Sequence, residues 1–102
     1  MYGTIARLRV KEGAEAELNR LNDEYKNFNV PGYLGEYVYR MDADPRECYL
    51  VVLFADKESY QKNAESPEQN ERYEQFRALL DADPEWHDGE IISAMTPATS
   101  NV

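Results

Sequence analysis

The chain has 102 residues, 42% of them hydrophobic, and a formal net charge of -9. That length fits one domain with a modest core, and acidic residues spread along the chain repel nucleic acid and anionic membrane surfaces, so neither is an expected partner. Cys48 is the single cysteine; it rules out an internal disulfide and, at the head of an apolar strand, suits a small packing residue.

The first segment alternates as a strand does: Tyr2, Thr4, Ala6, Leu8 and Val10 fall on one face, Gly3, Ile5, Arg7 and Arg9 on the other. It has no basic region followed by an apolar core, and no run of the chain approaches membrane-spanning length, so a cytoplasmic location is expected. Lys11-Glu12-Gly13 turns the chain. Ala14, Leu18, Leu21, Tyr25 and Phe28 then recur at helical spacing opposite a charged side, until Asn29-Val30-Pro31-Gly32 stops the helix. A strand is predicted over 33–41, and the short polar segment to Glu47 joins it as a hairpin to Cys48–Phe54, which is apolar throughout after its cysteine.

Asp56 is placed to cap a short helix carrying Tyr60, Asn63 and Ala64. Ser66-Pro67-Glu68-Gln69 is a sharper signal, with serine at the cap, proline at the first helical position and glutamine as the capping-box partner. The helix it opens is expected to bury Tyr73, Phe76, Leu79 and Leu80 and to end before Asp83-Pro84. Glu90–Met95 reads as the last strand, giving one domain over 1–95, and 96–102 as a mobile tail. The order β-α-β-β-α-α-β predicts an α+β, ferredoxin-like split βαβ fold: an antiparallel four-stranded sheet with the first and third strands central and the helices on one side. A third strand apolar on both faces needs a cover on each. A second copy is the simplest cover for the side without helices, so a homodimer is expected.

Val30-Pro-Gly-Tyr-Leu-Gly35, Leu53-Phe54 followed by Ala55-Asp-Lys-Glu-Ser-Tyr60, and Ser66-Pro67 at the next helix resemble the antibiotic biosynthesis monooxygenase-like family of dimeric α/β barrels, over about Tyr2 to Met95. The resemblance implies two sheets packed face to face in a dimer, with a ligand between sheet and helices in each subunit. It also implies cofactor-independent oxidation of a small electron-rich aromatic or quinol-like substrate; the alternative is a non-catalytic binding or regulatory barrel that holds a small hydrophobic or aromatic ligand without turning it over. The haem-degrading branch of that family uses an asparagine, a tryptophan and a histidine where Ala6, Asn63 and Tyr73 stand here, which argues against haem degradation.

Tyr60, Asn63 and Tyr73 are expected around a pocket that Ala6 and Thr4 reach from the sheet, since hydroxyls and an amide can orient a phenolate or enolate. The alternative is that the tyrosines are core side chains with hydroxyls at the water edge. Arg77 is placed to offer a positive charge at the rim, or to pair with Asp81 one turn on. His87 is the default general base by its intrinsic pKa, or else an exposed loop or dimer contact. The expected catalytic set is thus His87, Tyr73 and Asn63, with Tyr60, Arg77, Ala6 and Thr4 binding substrate. Trp86 is expected to pack, and Arg7, Arg9 and Arg40 to form salt bridges. One histidine beside Asp88 and Glu90 is a poor metal-ligand set, and no nucleotide-binding motif is present, so no metal or cofactor is expected.

Overall fold

The computed structural model of the chain describes residues 1–25 and 27–95; the tail assigned to 96–102 lies outside them. In chain order the elements are β1 (Tyr2–Arg9), α1 (Glu15–Tyr25), β2 (Tyr33–Arg40), β3 (Glu47–Phe54), α2 (Lys57–Ala64), α3 (Pro67–Arg77) and β4 (Glu85–Glu90). The strands form one antiparallel sheet in the order β2-β3-β1-β4, so β3 and β1 are central as the split βαβ connectivity requires. This is the α+β, ferredoxin-like arrangement expected from the sequence. The alternation of β1 sets the layers. Thr4, Ala6, Leu8 and Val10 are buried beneath the helices with Cys48, Leu50, Phe54, Leu18 and Leu80, while Ile5, Arg7 and Arg9 are exposed on the other face.

Helix starts follow local chemistry. The Asp56 carboxylate accepts the Ser59 N–H at 2.7 Å, and Ser66 Oγ accepts the Gln69 N–H at 3.1 Å with Pro67 opening α3. The reciprocal half of the expected capping box is missing, because the Gln69 carboxamide is taken by Tyr25 and Arg72. Two helices end earlier than periodicity predicts. After α1, the N–H groups of Asn27 and Phe28 bond the Glu24 and Tyr25 carbonyls in a tight turn. After α3, Leu79 and Leu80 leave the helix and Leu80 bridges to Val10, so both leucines reach the core from a turn.

The last strand is a correction. It runs over Glu85–Glu90, paired with β1 from Arg7↔Glu85 to Tyr2↔Glu90, and not over 90–95. An edge strand needs one ladder only and tolerates charge along its length, so the polar run Glu-Trp-His-Asp-Gly-Glu can form it while the apolar Ile91 and Ile92 lie beyond. The face of the sheet opposite the helices carries Ile5, Tyr37 and Tyr39, each more than half exposed, beside Val51, Leu53 and Tyr49. Arg7–Glu47 and Arg9–Asp44 ion pairs flank it.

Candidate functional site

A cavity of about 820 Å³ lies between the helices and the sheet. Its floor is Leu50, Val52 and Phe54 of β3 with Thr4 of β1, and α1, α2 and α3 wall it. The register puts alternate residues of each strand towards it, so Trp86 and Asp88 of β4 and Glu36 of β2 reach the cavity while their neighbours point away. An edge-to-face chain of rings runs along the cavity, and Tyr25, Phe54 and Tyr60 of it belong to the lining. Tyr25, Tyr33, Phe54 and Tyr60 follow one another with centroids 4.9, 5.7 and 5.5 Å apart.

Three polar clusters interrupt this apolar lining. In the first, Asn63 Nδ2 donates to the Tyr25 hydroxyl at 3.0 Å, the Tyr25 hydroxyl donates to Gln69 Oε1 at 3.3 Å, and Arg72 Nη2 donates to Gln69 Oε1 at 3.0 Å and to Asn63 Oδ1 at 3.4 Å. The Arg72 guanidinium also covers the rings of Tyr25 and Phe28 at 5.1 and 4.7 Å. Asn63 is therefore fixed on both sides of its amide. In the second, the Tyr60 hydroxyl donates to Asp88 Oδ1 at 2.8 Å. Beside it Thr4 Oγ1 is buried without a hydrogen-bond partner of good geometry among the described residues. In the third, the Tyr33 hydroxyl donates to Glu36 Oε1 at 2.7 Å.

Burial dominates the electrostatics. It raises the Tyr60 hydroxyl far above the ordinary tyrosine value, the Asp88 carboxylate adds to the shift, and hydrogen bonding from the Thr4 side chain opposes it, although the Thr4 contact falls outside good hydrogen-bond geometry. Burial also raises Tyr33, reinforced by Glu36. Tyr25 rises for the same first reason, although its bond from Asn63 and the Arg72 charge pull it back. These phenols are therefore neutral donors across the physiological range. Glu36 is shifted upward as well, by burial, with the Tyr33 hydrogen bond partly offsetting it.

Of the residues singled out from the sequence, Thr4, Tyr60, Asn63 and Tyr73 border this cavity, with the Tyr73 ring 6.3 Å from Trp86. Three others lie elsewhere. Ala6 is wholly buried in the core beside Leu8 and Leu50 and does not line the cavity. Arg77 is held at the end of α3 by Asp83 at 2.7 Å and by the Leu80 carbonyl at 3.0 Å; Asp81, its expected partner, pairs with Arg46 instead. His87 pairs in register with Ile5, so strand alternation points it to the opposite face, where Nε2 meets Glu85 Oε1 at 3.0 Å. Sequence reasoning missed Glu36, Tyr33, Arg72 and Asp88. The signal for Tyr33 was masked by a β-bulge: the register shifts between Tyr33 and Gly35, so Tyr33 and Glu36 share a face although their spacing is odd. Among the described residues no group of three metal-ligating side chains could hold an ion, and no helix is long and apolar enough to cross a membrane.

Solved structures share this architecture. SnoaB from Streptomyces nogalater, described as a cofactor-independent oxygenase, superposes with a TM-score of 0.77 at 16% identity, covering 94% of this chain and 97% of its own. A Chloroflexus aurantiacus protein assigned to the antibiotic biosynthesis monooxygenases gives 0.74 at 22% identity, with 93% and 96% covered. A conserved protein from Methanosarcina mazei gives 0.73 at 18% identity, with 86% and 89% covered. At these identities the likeness establishes the fold. No curated protein matches the chain in sequence. The family model for antibiotic biosynthesis monooxygenase matches residues 1–82, spanning every element but β4, and the chain therefore belongs to that family.

Proposed function

We propose that the protein is a cofactor-independent monooxygenase for a small electron-rich aromatic or quinol-like substrate, working as a homodimer. The observation that carries this is the cavity: about 820 Å³, walled by aromatic rings, with oriented polar groups at separate points of an otherwise apolar lining. That is the shape and chemistry of a site for a planar organic ligand. A substrate of this class supplies its own electrons: once it has lost a proton, its anion reacts with dioxygen, so that an anthrone's ring CH2 becomes C=O, or a quinol becomes a quinone with one ring C–H turned to C–OH, and in either case the second oxygen atom leaves in water. The protein's part is to bind the ring, position the anion and keep water away. In this assignment the Asn63 amide and the Tyr73 hydroxyl orient the substrate oxygen, while Tyr60 and Thr4 border the ring. The relatives described as oxygenases support the reading, SnoaB in particular.

The homodimer is supported by the uncovered sheet face. Ile5, Tyr37 and Tyr39 form with Val51 and Leu53 an exposed apolar patch of the kind that marks an interface. A second copy laid on it would bury on the order of 2,000 Å² in total. Residues 1–95 act as one domain in this assembly. Oxygen uptake with a panel of anthrones and quinols is the test, with product analysis for incorporated oxygen. Asn63→Ala and Tyr73→Phe are expected to lower turnover while the dimer stays folded. Tight ligand binding with no oxygen consumed across the panel would replace catalysis by simple ligand holding.

A further inference from the structure

With His87 on the far face, the cavity needs another base if it is to deprotonate a substrate. The register identifies one. Glu36 pairs with Val52, Val52 with Thr4 and Thr4 with Asp88, so the four residues form one row across the sheet beneath the helices. Strand spacing of about 4.8 Å sets the Glu36 backbone about 10 Å from Thr4 and about 14 Å from Asp88. A carboxylate thus stands at each end of an apolar and hydroxyl-bearing floor. The two differ. Asp88 is on the exposed edge strand and is engaged by Tyr60, whereas Glu36 is half-buried, receives the Tyr33 hydroxyl on Oε1, and has no donor to Oε2 among the described residues.

We propose that Glu36 is the proton acceptor of this cavity, taking the acidic O–H or C–H proton of an aromatic substrate on a carboxylate that Tyr33 holds in place. The inference deepens the oxygenase reading and rests on it for the substrate class. In the step itself the substrate's bond to hydrogen breaks, a carboxyl O–H bond forms on Glu36, and the electron pair stays on the substrate as a phenolate or enolate. Dioxygen is the oxidant of the following step.

The surroundings favour this role. Tyr33 on its own strand bonds Glu36, and the titratable and charged groups that share the cavity with it are Tyr25 from α1, Tyr60 from α2, Arg72 and Tyr73 from α3 and Asp88 from β4, while Glu24, Glu65, Glu68 and Glu71 of the lining are exposed. Burial lifts the Glu36 carboxyl above the ordinary carboxylate range, and the Tyr33 bond returns part of the shift. A carboxylate moved towards neutrality is a stronger base than an exposed one. Tyr33 and Tyr60 do not compete, since burial and their carboxylate partners keep both protonated.

The experiment separates the base from the oxygenase. Washout of the anthrone methylene protons into deuterated water is followed by NMR under anaerobic conditions with the full chain, and oxygen uptake is measured in parallel. The protein is expected to accelerate washout, and Glu36→Gln to slow both washout and uptake by about 10²- to 10⁴-fold while still binding anthrone. Tyr33→Phe removes the bond that lowers the Glu36 pKa, so the acid limb of the pH–rate profile moves to higher pH, which a purely structural role would not cause. Glu36→Asp, with circular dichroism as a folding check, retains a carboxylate if the glutamine variant fails to fold, and is expected to keep part of the washout rate. Washout accelerated without oxygen uptake keeps Glu36 as the base and removes the oxygenase reading. Uptake and washout both undiminished in Glu36→Gln, with the same acid limb, overturn the proposal and leave the oxygenase reading standing.

Discussion

Thr4→Val is expected to make the protein more stable. Thr4 is 4% exposed and its Oγ1 has no partner of good hydrogen-bond geometry among the described residues. A buried hydroxyl in that condition carries a desolvation penalty of about 1–3 kcal/mol. Valine has the same branched shape and a comparable strand preference, and its extra buried methyl contributes about 0.8 kcal/mol of its own. Both effects have one sign. Hydrogen bonding from the Thr4 side chain towards the Tyr60 hydroxyl works against them, so the net gain is about 1–2 kcal/mol, at the lower end of the penalty range.

For a domain near 100 residues, each kcal/mol moves Tm by about 4–8 °C, so Tm is expected to rise by about 4–16 °C for Thr4→Val. Differential scanning calorimetry reads the shift, and urea unfolding should show a higher midpoint at an unchanged slope, the mark of altered stability without altered compactness. A fall in Tm of several degrees would refute the reasoning. It would mean that the hydroxyl is well bonded in the folded protein and that the second polar cluster includes Thr4 as a full member.

The other expectations concern the same sheet. Because burial holds the Glu36 carboxyl above its ordinary value, folding favours the protonated form, a contribution full below the unfolded pKa and lost as pH rises through the folded one. Glu36→Gln should therefore raise Tm at neutral pH, and the difference should close as pH drops below the carboxylate range, as a Tm series across pH will show. At Gly3 an added Cβ would sit 1.8 Å from the Val52 carbonyl oxygen of the neighbouring central strand; Gly3→Ala must push β1 from β3 and is expected to lower stability by about 3 kcal/mol, the upper end for overpacking, in urea unfolding. Ile5→Asp places a charge in the middle of the uncovered sheet face. Sedimentation velocity at micromolar concentration should then show a monomer where the unaltered chain is expected to sediment as a dimer; a monomer for both removes the dimer.

Much of the architecture was legible because it rests on local chemistry. The period of two in β1 and the serine-proline start of α3 each act within a few residues and are found where the pattern puts them, whereas α1 ends at Tyr25, ahead of the proline-glycine stop. What failed depended on distant partners. The polar β4 becomes a strand because β1 has a free edge, which no residue between 85 and 90 announces. His87 faces away from the cavity by a parity fixed only through pairing with Ile5, and Arg77 chooses Asp83 over Asp81 because Asp81 is held by Arg46 from the hairpin between β2 and β3. Tyr60, Asn63 and Tyr73 were reachable from the sequence since each sits on a helix whose start was marked by its cap. Glu36 was not.

What gives Glu36 its partner is the one extra residue of β2. Under strict alternation Tyr33 would share a face with Gly35, Tyr37 and Tyr39, among residues turned from the helices, and Glu36 would face the cavity alone. With Leu34 accommodated in the bulge, Tyr33 falls opposite Phe54 on the helix side and its hydroxyl reaches the carboxylate. With Tyr33 moved across by the bulge, Tyr2, Tyr25, Tyr33, Tyr60 and Tyr73 lie on the side of the helices and Tyr37, Tyr39 and Tyr49 on the uncovered face. It also decides what kind of acid Glu36 is. Burial alone would drive the carboxyl towards its neutral form, and the phenol of Tyr33, itself neutral, stabilises the anion by a hydrogen bond without adding a charge to be desolvated. A guanidinium in the same place would pin the carboxylate as an anion and weaken it as a base. A tyrosine leaves it free to exchange a proton, and a single-residue irregularity in an otherwise regular strand is what puts that tyrosine there.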